Sequence, residues 1–74
     1  MKRGTLGYDP IIARPYIAFS DGTYSEPLRC GELLYLPIGG QMQAAHLELD
    51  PDENWYYAGL DRKRLAALGD VVYR

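Results

Sequence analysis

The chain carries a single cysteine, Cys30, so it can form no disulfide within itself. Small secreted domains usually depend on such staples, and the lack of one favours a reducing compartment, so a cytoplasmic location is expected. There is also only one histidine, His46. Cys30 and His46 are the only soft metal ligands present, whereas a structural zinc site needs four, so no metal site and no cofactor are expected. Long apolar runs are missing as well. None approaches the roughly 20 residues a membrane helix needs, and the basic start Met1-Lys2-Arg3-Gly4 is not followed by the continuous apolar segment of a signal peptide. Neither sign of charge dominates. A formal net charge of −2 and a pI near 5.1 give no general attraction to nucleic acid or to anionic lipid.

What the chain does have is aromatic rings and turn formers. Seven tyrosines and one tryptophan lie in 74 residues that eight glycines and five prolines cut into short pieces. A hydrophobic share of 47% argues for a folded chain. The length fits one domain over residues 1–74, and a domain this small hides only about 60% of the surface its unfolded form exposes. Aromatic and β-branched blocks bounded by turn residues predict strands near residues 5–8, 16–19, 33–36, 42–49, 54–60 and 71–73. Pro10 and Pro15 bracket an apolar loop or edge segment at 11–14. Asp21-Gly22 and Gly39-Gly40 read as hairpin turns. Residues 41–49 also have helix propensity, but the turn signals on both sides favour a strand.

Asp61 is a candidate cap for a short helix over residues 62–68, with Leu65 and Leu68 facing the core and Gly69 ending it. Arg62, Lys63 and Arg64 would occupy the first turn, the wrong end for positive charge, so one or two α or 3₁₀ turns are expected. The predicted core is Leu6, Ile17, Phe19, Leu34, Leu36, Leu47, Ala58, Leu60, Leu65, Leu68 and Val72. The expected architecture is a small SH3-like barrel of five or six antiparallel strands, with one helical turn before the last. Closure would protect strand edges; an open antiparallel sheet with one helix is the alternative.

Four segments carry a family resemblance: Met1-Lys2-Arg3-Gly4-Thr5-Leu6, Phe19-Ser20-Asp21-Gly22-Thr23-Tyr24, Leu28-Arg29-Cys30-Gly31-Glu32 and Trp55-Tyr56-Tyr57-Ala58-Gly59-Leu60. Together they resemble the small bacterial proteins of domain-of-unknown-function family 5348 along most of the chain. At one point the chain departs from the family, which favours an aromatic after Gly40-Gln41 where Met42 stands. The resemblance implies a stand-alone cytoplasmic domain of Gram-positive bacteria, often encoded among genes of integrated mobile elements. It implies no activity and no catalytic residues.

No catalytic constellation emerges from the residues, and an enzyme is not expected. Asp50, Asp52 and Asn54 have the first, third and fifth spacing of a calcium loop. Trp55, however, stands where that loop needs glycine and Asp61 where it needs glutamate, so a solvated turn is the expected reading. Gly4-Thr5-Leu6-Gly7 lacks the lysine and the helix of a phosphate loop. Cys30 and His46 show no signature of a nucleophile and base.

Two interaction surfaces remain. On the 54–60 strand, Trp55 and Tyr57 share one face, while Tyr56, Ala58 and Leu60 share the other, which ends in small and aliphatic residues and is therefore placed inward. Tyr35, Trp55 and Tyr57, with Met42 at the rim, would then form an outer aromatic face that binds a protein partner or a second copy of the chain. The competing reading is that these rings only cover the sheet. Arg62, Lys63 and Arg64 form the alternative, a small nucleic-acid patch beside tyrosines suited to an accessory protein of a mobile element. Against it stands a solvated basic face that counters the acidic stretch 48–53.

Overall fold

The computed structural model describes residues 1–74. Seven strands form one antiparallel sheet: β1 (Arg3–Asp9), β2 (Arg14–Phe19), β3 (Glu32–Ile38), β4 (Gln41–Leu49), β5 (Trp55–Ala58), β6 (Arg64–Leu65) and β7 (Val71–Tyr73). Their spatial order is β2-β1-β7-β3-β4-β5-β6. Successive side chains of a strand point to opposite faces, and the sequence uses this period throughout. Gly4 and Leu6 of β1, Pro15 and Ile17 of β2, Leu34 and Leu36 of β3, Ala45 and Leu47 of β4, Tyr57 of β5 and Val72 of β7 are all buried on one face. Thr5, Leu33, Met42, Ala44 and His46 alternate with them on the exposed face. The β3–β4 hairpin closes through Gly39 and Gly40, whose φ values of 59° and 77° suit the two left-handed positions of a tight hairpin turn.

Strand placement agrees with the sequence reading at every predicted strand, and the sheet is all-β and antiparallel. Closure is corrected: β2 and β6 end the sheet without pairing to each other, so it is open, not a barrel. The helix over 62–68 is corrected as well. Arg64 and Leu65 pair with Tyr57 and Tyr56, and residues 67–70 form a turn in which the Asp70 N–H donates to the Ala67 carbonyl at 3.1 Å. Gly69, with φ at 85°, supplies the left-handed position of that turn. Leu65 and Leu68 consequently lie outside the core, 54% and 73% exposed.

The phase of β5 is also corrected. Cross-strand partners share a face, and β4 pairs Leu47 with Tyr57, so the inward side of Leu47 carries Tyr57 inward. Ala58 pairs with His46 on the outer face, and Leu60 packs only partly buried against the core margin. Tyr57 is 1% exposed, and its hydroxyl donates to Asp70 Oδ2 at 2.7 Å, so the ring is buried with its polar end satisfied. Phe19 is likewise only partly buried. Leu28, in the irregular stretch containing Pro27, joins the core fully buried.

That stretch also manages the outer edge of β2. Ser25 N–H donates to the Ile17 carbonyl, the Ile17 N–H donates to Ser25 Oγ, and Leu28 N–H donates to the Pro15 carbonyl. Arg14 holds the strap from below, its guanidinium donating to the carbonyls of Pro27 and Leu28 at 2.7 and 2.9 Å. The groups that an edge strand would offer to a foreign strand are thereby occupied.

Candidate functional site

The link from β6 to β7 shapes the site. These strands stand four places apart in the sheet, which on a flat sheet is about 19 Å. Residues 66–70 spend part of their reach on a tight turn, so the sheet must curl for them to cross. Hydrogen bonds fix the crossing at both ends. Ala66 N–H donates to the Trp55 carbonyl on β5, while Gly69 N–H donates to the carbonyl of Leu6 on β1, whose own N–H donates to the Asp70 carbonyl of the link. The curl brings β1 and β2 towards β5 without joining them.

A cleft of about 250 Å³ remains in the gap. The buried Leu6 and Pro15 lie at its base beside Tyr8, Trp55 with Glu53 and Asn54 stands opposite, and residues 66–68 line its margin. Tyr8 and Pro15 are direct partners across the β1–β2 hairpin, which places an aromatic ring beside a proline ring. Trp55 is half-buried and packs against the core from within the cleft. Its Nε1–H has no partner within the chain and is not sealed from solvent.

The acidic wall is built by a turn centred on Asp50. Asp50 Oδ1 accepts from the N–H groups of Asp52 and Asn54 at 2.9 and 2.8 Å, and Oδ2 accepts from Lys63 Nζ at 2.8 Å. The Lys63 bond, then the Asn54 N–H, holds the Asp50 carboxyl below the usual carboxylate range, and the same contact raises Lys63. The calcium-like spacing of Asp50, Asp52 and Asn54 is therefore the spacing of a side-chain-capped turn. No three His, Cys, Asp or Glu side chains converge as a metal site. Glu53 sits in this turn at φ 65°, a left-handed backbone that costs a non-glycine residue energy. Its carboxylate and that of Asp52 enter no salt bridge, in contrast to the neighbouring cations.

The residues expected to form an outer aromatic face do not come together. Tyr57 is core, a correction fixed by the β4–β5 register. Trp55 shares its face and lines the cleft. Tyr35 and Met42 lie on the opposite, outer face, where Tyr35 pairs with Ala44 and Tyr73, and Met42 pairs with Pro37. The basic run is largely tied up within the chain. Lys63 binds Asp50 and lies 4.9 Å from the Tyr56 ring centroid, while Arg64 reaches Asp70 at 3.9 Å and sits over Tyr57 at 5.7 Å. Arg62 is exposed and forms no salt bridge. Cys30 is an exposed free thiol, and His46 is on the outer face opposite Leu33.

The sequence reading missed Tyr8, Pro15 and Leu68 as cleft residues. Leu6 and Tyr8 do share one strand face by alternation, and the short loop before Pro15 makes a Tyr8–Pro15 pair readable. Their approach to Trp55 depends on the curl, which no local signal carries.

The fold and the cleft describe a small all-β domain with a solvent-open aromatic groove. Residues 4–69 match the family model described as Domain of unknown function (DUF5348), and the chain belongs to that family. No curated protein and no solved structure matches it. No helix is long and apolar enough to cross a membrane.

Proposed function

We propose that the domain is a non-enzymatic interaction module that binds a protein partner through the cleft containing Trp55. One observation carries this reading: the only tryptophan of the chain lies half-buried in an open apolar gap, with its indole N–H open to solvent. Tryptophan is the side chain most enriched among the anchors of protein interfaces. The nucleic-acid reading of Arg62, Lys63 and Arg64 has less support, because two of the three cations already neutralise Asp50 and Asp70.

A photo-cross-linking side chain at Leu68, at the cleft margin, should capture a protein in cells, and one at Met42 on the outer face should not. Trp55→Ala, checked for folding, should abolish the capture, since loss of an anchor tryptophan typically weakens binding about thirtyfold. Capture from Met42 and not from Leu68 would move the interface to the outer face of Tyr35. Capture from neither would reject the module.

A further inference from the structure

Taking the protein-binding reading of the cleft as its basis, we infer that the occupant is an extended, proline-containing peptide segment that carries a lysine or arginine. Three features of the cleft select it.

Size is the first. About 250 Å³ is below the roughly 300–1,000 Å³ of pockets that enclose a small-molecule ligand or cofactor. It suits a few side chains of a chain lying across the sheet's open side. Addition of a strand to the sheet edge is disfavoured, because the outer edge of β2 is covered by residues 24–28 and the other edge strand, β6, is only two residues long.

The second feature is the lining. Tyr8 and Trp55 offer ring surfaces, with the fully buried Pro15 packed beneath Tyr8, and the solvent-open indole N–H can donate to a carbonyl of the partner. A polyproline II segment presents prolyl rings to such surfaces. Its carbonyls carry no internal hydrogen bond, and its shape is set before binding, so little ordering entropy is lost.

Charge is the third. Glu53 is the only charged residue in the lining, and Asp52 stands next to it in the turn. Neither carboxylate forms a salt bridge, while Lys63, Arg64 and Arg14 are engaged by Asp50, Asp70 and the carbonyls of Pro27 and Leu28. A lysine or arginine of the partner meets the Glu53 carboxylate, with Asp52 beside it, and can also lie against the Trp55 ring.

Because Trp55 is the sole tryptophan, its fluorescence reports the cleft directly. Full-length protein should be titrated with a peptide of Arg-Pro-Pro repeats, one of Arg-Ala-Ala repeats with equal charge, and one of Glu-Pro-Pro repeats with equal backbone preference. Arg-Pro-Pro should give a saturable change, and each control should bind at least about tenfold more weakly, a difference of about 1.4 kcal/mol. Glu53→Lys should reverse the preference between Arg-Pro-Pro and Glu-Pro-Pro. Asp52→Lys, at an exposed position, should narrow it even where the Glu53 variant folds poorly. Equal binding of Arg-Ala-Ala and Arg-Pro-Pro would overturn the proline requirement. No saturable change up to about 1 mM would overturn the proposal. Capture of a protein from Leu68 in that last case would leave the interaction module standing with a different partner chemistry.

Discussion

Tyr57 shows how one side chain can connect core, turn and charge. Its ring fills the core where β4 and β5 pair, while its hydroxyl donates to Asp70, which also accepts the Ala67 N–H at 2.9 Å. The same residue thus anchors the link that curls the sheet. Burial, then the bond to the Asp70 carboxylate, pushes the Tyr57 hydroxyl well above the ordinary tyrosine range. Tyr57→Phe keeps the ring and removes only the donor. It should destabilise the domain by about 1.5–3 kcal/mol at neutral pH in urea unfolding, the range of a hydrogen bond to a charged group. The sign of the pH dependence follows from the raised value. The hydroxyl bond stabilises fully below the unfolded tyrosine value near 10 and less as pH rises beyond it. The gap between parent and Tyr57→Phe should therefore narrow above about pH 10. A gap constant through that range would show that the hydroxyl is not held neutral in the fold.

Among the elements, β1 depends on two glycines for different reasons. A Cβ at Gly4 would lie 2.5 Å from Ile17 Cγ2 and 2.8 Å from the Ala18 carbonyl oxygen, which is backbone and cannot turn aside. A Cβ at Gly7 would meet only the far end of the Tyr16 ring, 2.5 Å from Cζ, and that side chain can swing outward. Gly4→Ala should cost about 1–3 kcal/mol as overpacking, and Gly7→Ala clearly less. Equal losses in denaturant melts would mean that β1 and β2 are not so closely apposed at Gly4. The strands themselves were legible because turn residues bounded them and alternation marked their faces, as in Leu34 and Leu36. Tyr57 and Ala58 were not, because in a strand as short as β5 the partner's register overrides the local pattern. Residues 62–68 misled for a related reason. Leucine spacing and a terminal glycine resemble a helix end, but the Gly69 turn and two pairs to β5 outweigh propensity in so short a stretch. Trp55 was legible as a prominent strand residue, whereas its opposition to Tyr8 and Pro15 arises from strands distant in sequence.

At the scale of the molecule, the sheet curls far enough to bury one face but not far enough to join its edges. Its ends are then held by the strap over β2, by the crossing link, and by carboxylate-centred turns. Asp50 organises the turn before β5. Asp21 does the same after β2, where Oδ1 accepts from both Thr23 N–H and Thr23 Oγ1 and Oδ2 accepts from Lys2 Nζ. The Thr23 bonds and then Lys2 bring Asp21 down to about 2, and Asp50 is lowered chiefly by Lys63. A carboxyl lowered in the fold binds protons more readily when unfolded, so it stabilises above the unfolded value near 3.9 and ceases to do so as pH falls towards the folded value. Tyr57 acts in the opposite sense at the alkaline end. The domain should accordingly show a broad stability plateau through neutral pH, with a decline below about pH 4 and another above about pH 10. Asp50→Asn and Asp21→Asn should each flatten the acid decline in urea-unfolding profiles, because each removes one carboxyl that must be protonated. Each variant is also expected to be less stable than the parent at neutral pH, where the charge-assisted bonds to Lys63 and Lys2 are weakened. An acid decline as steep in the double variant as in the parent would place the responsible carboxyls elsewhere and leave these two turns as passive connections.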